Sequence, residues 1–169
     1  MEITVNPNRP RAGARRGLLR VLGVVLAPVA AIVLIGQPAH AAQACTGQSS
    51  SNVCLTIDDA GGGLFRVTIG IDWRIGQVPA QQIIDAPGDP FTAAVFADDS
   101  SGYLFSVPIT NVGASADAGL SGEGSVLMPR IWLDEDFNDV DEVLARIKVN
   151  DSRFGVIRSF SSPQIQQSF

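Results

Sequence analysis

Histidine is almost absent from this sequence, and its scarcity excludes several kinds of active site. The only histidine among the 169 residues is His40, at the end of an N-terminal segment that we expect to be removed. Residues 42–169 then have no imidazole for Ser-His-Asp or Cys-His catalysis, and none to bind zinc, copper or iron. Lys148 is the only lysine. No catalytic constellation is found, and the sequence predicts a protein that is not an enzyme.

Cysteine is also scarce, with Cys45 and Cys54 as the only two. Eight residues separate them, a spacing that fits neither a metal site nor a redox motif. In an oxidising compartment such a pair forms a disulfide. We therefore predict a Cys45–Cys54 bridge that ties the start of the domain to its first strand.

The first 41 residues have the three parts of a secretory signal peptide. Five arginines precede an apolar run of about 16 residues, and Ala39 and Ala41 provide the small side chains that signal peptidase requires. The run is shorter than the roughly 20 residues that span a bilayer. Arg15-Arg16 also resembles a twin-arginine export signal, so the export route stays open. We predict a signal peptide at residues 1–41 and a secreted, extracellular domain at residues 42–169.

Positive charge is scarce in that predicted domain. Residues 42–169 hold seven Lys and Arg against 16 Asp and Glu, a net charge of −9. Negative charge disfavours nucleic acid and anionic membrane surfaces as partners. The length of 128 residues fits a single domain with one hydrophobic core.

Period-two alternation dominates the pattern of residues 42–169. The clearest stretch is 64–75, where Val67, Ile69 and Ile71 share one face and Arg66 and Asp72 lie on the other. A strand buries such a set together, whereas a helix scatters it. Similar segments with turn signals between them predict an all-β, antiparallel sandwich, Ig-like or related, of about seven strands. Those further strands are expected at 53–57, 91–97, 103–109, 126–133, 143–149 and 156–160.

Two other segments are expected to be irregular. Residues 76–90 contain three prolines, with a short helical turn near 80–84, and the Gly, Ala and Ser content of 113–125 predicts a mobile loop. The last ten residues are either an edge strand or without regular structure.

Residues 134–142 form the most unusual segment, since six of the nine are acidic. The first five residues resemble the start of an EF-hand calcium loop, with oxygen ligands at Asp134, Asp136 and Asn138. The match ends there, because Asp139 occupies the position that requires glycine and Ala145 the position that requires a bidentate Glu. Two interpretations stay open, a calcium site of another kind and a solvated hairpin tip. The candidate calcium ligands are Asp58, Asp98, Asp99, Asp134, Asp136, Asn138, Asp139, Asp141 and Glu142.

Strand order suggests why these acids belong together. If each strand crosses the sandwich once, the loops after 53–57, 91–97 and 126–133 lie at the same end. Ten of the 16 acids would then share one end, which suits calcium or a cationic partner. Trp132 lies beside this loop, whereas Trp73 continues an apolar face and is expected in the core.

These features favour a non-enzymatic extracellular binding or interaction module, stabilised by calcium if the acidic loops form a site. The partner would be an extracellular protein or a cation. The alternatives are a secreted inhibitor or toxin-like effector acting on another protein, and a carboxylate-based hydrolase, which needs two suitably spaced acids beside sugar-stacking aromatics.

Overall fold

A computed structural model describes residues 41–97, 102–134 and 140–169. The predicted signal peptide, apart from Ala41, lies outside the described residues, and so do five of the candidate calcium ligands. Those five are Asp98, Asp99, Asp136, Asn138 and Asp139. Within the described residues, no helix is long and apolar enough to cross a membrane.

The described chain forms two antiparallel sheets of five strands each. Sheet A has the order β1-β2-β3-β7-β6; in sheet B the order is β10-β8-β4-β5, and β9 also pairs with β8. The β fold and its two sheets are confirmed, but the described strands number ten instead of about seven. In chain order the elements are β1 Ala42–Cys45, β2 Ser51–Gly61, β3 Leu64–Trp73, α1 Gln77–Ile84, β4 Phe91–Ala97, β5 Tyr103–Val107, β6 Asn111–Ser115, β7 Gly119–Pro129, a 3-10 turn Arg130–Trp132, β8 Asp141–Asp151, β9 Val156–Ser161 and β10 Ile165–Gln167.

The core lies between the two sheets, where the alternating apolar side chains of each strand meet. In β3, Val67, Ile69 and Ile71 are buried, and the residues between them face outward. In sheet B, Ile147 of β8 and Val95 of β4 are fully buried. The alternation therefore has the cause expected from the sequence, which is burial of one face of each sheet.

The prediction of a mobile loop at 113–125 is wrong, because β6 and β7 occupy most of it. Two of its glycines lie in β7 where other parts of the chain approach closely. A Cβ on Gly122 would meet the ring of Phe91, and a Cβ on Gly124 would overlap the carbonyl oxygen of Pro108. Glycine is thus required by packing here, and its frequency made a central strand resemble a loop.

Other elements differ only in their limits. The predicted strand 126–133 belongs to β7, which begins earlier and ends at Pro129, where the 3-10 turn follows. The short helix near 80–84 is confirmed as α1, which packs against β6 and β7 through Ala80 and Ile83. The chain end contains a short edge strand, β10.

The predicted disulfide is confirmed. Cys45 of β1 and Cys54 of β2 are bonded, and they lie directly opposite each other in the antiparallel pair. The bridge therefore fixes the four-residue strand β1 to the edge of sheet A.

Candidate functional site

One end of the sandwich, which we term the apical end, brings together the strand ends that precede the acidic loops. In sheet A, Asp59 of β2 lies opposite Phe65, and Pro129 at the end of β7 lies opposite Leu64. In sheet B, Ala97 at the end of β4 lies opposite Val143 near the start of β8.

The two sheets are joined at this end by aromatic packing. Gln167 of β10 lies opposite Asp141, the first residue of β8. Two residues later, the ring of Phe169 packs edge-on against Phe65 of sheet A at 5.4 Å between centroids. The strand ends that lead towards the predicted acidic loops therefore lie at one end of the sandwich. Residues 98–101 and 135–139 lie outside the described residues, so the grouping of their acids stays a prediction.

Each described acid at the apical end has a local environment of its own. Asp134 accepts a hydrogen bond from Arg130 at 3.2 Å and forms an ion pair with it. Asp59 accepts a hydrogen bond from the backbone N–H of Gly61 at 2.7 Å. Asp58 lies opposite Arg66 in the sheet. Asp141 is buried and has an interaction partner, whereas Glu142 is half-buried. These acids therefore form hydrogen bonds and an ion pair within the fold, and they also give this end its negative charge.

Among the described residues, no three acidic, cysteine or histidine side chains lie close enough together to hold a metal ion. Five of the nine candidate calcium ligands lie outside these residues. Calcium binding therefore stays a prediction.

Four of the large apolar side chains exposed at this end belong to β3, β7 and the 3-10 turn, and we call them the apical patch: Leu64, Leu127, Ile131 and Trp132. Leu64 and Leu127 point outward from neighbouring strands at diagonal positions of the β3–β7 register. Ile131 and Trp132 belong to the 3-10 turn directly after β7, with exposed fractions of 78% and 50%. Exposed apolar side chains with polar residues around them are typical of an interaction surface.

The 3-10 turn is firmly held, so the exposure of its side chains follows from the fold. The N–H of Arg130 donates to the carbonyl of Gly63 at 2.9 Å, which joins the turn to the β2–β3 hairpin. The N–H groups of Leu133 and Asp134 donate to the carbonyl of Arg130 at 2.8 and 3.0 Å. Leu133 is fully buried. With both ends of the turn fixed, Ile131 and Trp132 are directed into solvent.

The outer face of sheet A contains a polar groove of about 670 Å³. Gln43 donates to Thr56 within it at 3.0 Å, while Asp72 and Glu123 lie at diagonal positions of β3 and β7. No aromatic side chain is among the described residues that line the groove. A solvent-facing sheet surface usually has this polar composition. The groove by itself indicates no ligand, and the hydrolase alternative stays a prediction.

The sequence predicted that acidic residues gather at one end of the sandwich, but it did not predict most of the apical patch. Leu64 and Leu127 occupy outward positions of their strands, where alternation predicts polar residues. These two departures from alternation are the sequence feature that could have predicted an exposed apolar surface. The exposure of Ile131 was hidden because residues 126–133 resemble one continuous apolar strand.

The sheet architecture alone does not indicate an activity, since two-sheet β proteins carry many unrelated functions. The chemistry of the surface therefore has to identify the function. The chain matches no protein-family model, no curated protein and no solved structure.

Proposed function

We propose that the domain is a non-enzymatic extracellular interaction module that binds a basic partner protein through the apical patch. The observation that carries this proposal is the firmly held 3-10 turn, which presents Ile131 and Trp132 to solvent. Because the turn is held by backbone hydrogen bonds and by buried Leu133, its backbone is already in place before binding. A preorganised surface loses less conformational entropy on association.

The composition of the apical patch fits the usual anatomy of a protein interface. Such an interface has an apolar centre, a polar rim and a few residues that provide most of the binding energy, among which Trp is enriched. Trp132 with Ile131 would form the centre. Asp58, Asp59 and Glu142 belong to the surrounding acidic end.

Charge indicates the kind of partner. The net charge of −9 over residues 42–169 and the acids of the apical end would attract a basic protein and repel an acidic one. The partner surface would have an apolar pocket for Trp132 and a rim of Lys or Arg. Association would then weaken as salt concentration rises.

One of the earlier alternatives, a secreted inhibitor or toxin-like effector, uses the same end of the molecule. An inhibitor or effector would also present a rigid turn to another protein, and it differs only in that the partner's activity falls on binding. Calcium stabilisation remains part of the proposal, and it is supported by the strand ends next to Asp59, Asp134 and Asp141, which lie at the same end of the sandwich. A bound cation would lower the repulsion among those acids.

Affinity enrichment from the secreted proteome of the native host tests the proposal. The immobilised domain is compared with an Ile131→Ser/Trp132→Ser variant and with Tyr103→Ser, a matched control that removes an exposed aromatic of sheet B. We expect a basic protein to be enriched by the wild type and by Tyr103→Ser, to be lost with the double variant, and to be released by salt.

The thermal unfolding midpoints of the variants show whether each one is folded. The proposal is wrong if no protein is enriched, or if the folded double variant retains the same protein as the wild type.

A further inference from the structure

A second cavity lies at the opposite end of the domain from the apical patch, and we call it the basal cleft. Its volume is about 320 Å³. It forms where the β8–β9 hairpin meets the end of β3 and helix α1. Its apolar lining consists of Trp73, Ile75, Pro79, Ile83, Val149, Phe154 and Val156.

The hairpin that forms one wall of the basal cleft is anchored to the helix side. The hydroxyl of Ser152 donates to the carbonyl of Pro87 at 2.8 Å. Arg153 donates to the side chain of Gln82 at 2.6 Å and makes two bonds of 2.8 Å to Asp151. The cleft is therefore preformed.

Phe154 is 74% exposed at this anchored tip. The guanidinium of Arg153 lies 5.1 Å from the centre of its ring. The ring is thus held in place at the rim of the cleft while most of its surface remains in water.

Charge in the basal cleft is the reverse of the charge at the apical end. Arg153 is neutralised by Asp151. Arg158 lies over the ring of Trp73 at 5.3 Å, and within the described part of the chain the structure pairs it with no carboxylate. Of the two guanidinium groups that line the cleft, Arg158 is thus the one without a carboxylate partner among the described residues, and it lies beside apolar walls.

We propose that the basal cleft binds a small apolar carboxylate. A guanidinium forms paired hydrogen bonds with a carboxylate, and Arg158 would hold that group while the apolar body enters against Trp73 and Ile83. The volume is at the low end of the range for small-molecule sites. It fits a short alkyl chain or a single ring system, and it is too small for a folded segment.

This site is independent of the proposed protein interface. It uses residues of β3, α1, β8 and β9 at the other end of the strands. Sequence reasoning assigned Trp73 to the core, and the structure agrees in part, because Trp73 packs against the core and against Phe160 at 5.6 Å. Its remaining surface lines the cleft.

The probes for a test are octanoate, its neutral analogue octanol, and the dipeptide N-acetyl-Phe-Leu. Binding is followed by NMR through the two indole N–H signals, which the Trp132→Phe variant assigns. We expect octanoate to shift the Trp73 signal and to bind at least about fivefold more tightly than octanol, because only octanoate can pair with Arg158.

Substitution of Arg158 separates the charge from the apolar walls. In Arg158→Gln, octanoate is expected to bind about as weakly as octanol, whereas Arg146→Gln, which removes an exposed arginine of β8, leaves the difference unchanged. Phe154→Ser is expected to weaken both ligands equally. Unchanged octanoate binding in a folded Arg158→Gln, equal affinity for octanoate and octanol, or movement of the Trp132 signal alone would overturn the proposal.

The dipeptide distinguishes a second kind of occupant. If N-acetyl-Phe-Leu binds about tenfold more tightly than octanoate, the cleft recognises a peptide C-terminus, and the assignment to a small carboxylate is wrong. Weaker binding of the dipeptide is the result expected.

Discussion

Close packing at single positions explains several features of this domain that composition hides. Gly124 lies in the middle of β7, in close contact with the backbone of Pro108 and Ile109. Gly70 lies in the middle of the neighbouring strand β3, where a Cβ would meet nothing within 4 Å. Two glycines of adjacent strands thus have different roles, and the difference can be measured.

Gly124→Ala is expected to destabilise the domain by about 1–3 kcal/mol or more, because the added methyl overlaps backbone that has little room to move. Gly70→Ala is the matched control, expected to be neutral or to stabilise by up to about 1 kcal/mol, since alanine restricts the unfolded chain. Urea unfolding monitored by circular dichroism gives both values. Equal effects of the two substitutions would contradict the packing described for β7.

The pair between Asp151 and Arg153 predicts a pH dependence of stability. The side-chain hydrogen bonds from Arg153 hold the pKa of Asp151 below its ordinary value of 3.8. A carboxyl whose pKa is lowered by folding stabilises the native state above its unfolded pKa, and that contribution is lost as pH falls through the folded pKa.

Asp151→Asn should therefore lower the thermal midpoint at pH 7, and the difference from wild type should shrink below about pH 4. Asp117→Asn, at an exposed acid of the β6–β7 turn, is the control. A difference that stays constant from pH 7 to pH 3 would show that the pair has no electrostatic role.

Among the elements, β1 depends most on a covalent link. It has four residues, lies at the edge of sheet A, and is bonded to β2 through Cys45 and Cys54. Short edge strands are readily lost when their tether is removed.

Replacing both cysteines with alanine is expected to cost about 2.5–3 kcal/mol, the chain-entropy value for a loop of this length. Hydrogen exchange in the variant should increase first in residues 42–45, because β1 loses its tether. Equal urea midpoints for the wild type with and without reductant would contradict this role of the disulfide.

The sequence was most informative where one physical cause acts alone. Alternation in β3 and β8 follows from burial of one face, and it predicted both strands well. In β6 and β7, close approach of other chain segments required glycine, and local pattern contains no information on such approach. The apical patch was missed for a related reason, since exposure of Ile131 depends on how Arg130 and Leu133 are held by distant residues.

At the scale of the whole molecule, the two ends of the sandwich differ in chemistry. The apical end combines the apical patch with acids, and the basal cleft combines apolar walls with Arg158, which has no carboxylate partner among the described residues. We expect the two ends to act separately, because each is built from the strand ends on its own side. Substitutions in the basal cleft should therefore leave partner binding at the apical patch unchanged.

Calcium stabilisation is a prediction about the apical end. If the loops bind calcium, an excess of about 100 times the dissociation constant should stabilise the domain by about 2.7 kcal/mol and raise the midpoint by several degrees. Asp134→Asn with Asp136→Asn should abolish that increase, while Asp117→Asn should not. If the midpoint is the same with calcium and with chelator, the acids do not bind calcium, and their role is limited to solubility and partner recognition.

The central claim is that the apical patch is the surface that binds the partner protein. Site-specific photo-cross-linking tests this claim most directly. A benzophenone side chain replaces Ile131 in one variant and Tyr103 in another, and each folded domain is irradiated in the native secreted proteome. The account predicts a single basic protein joined at position 131, absent at position 103 and reduced by salt. Equal cross-linking at both positions, or none at 131, would contradict it.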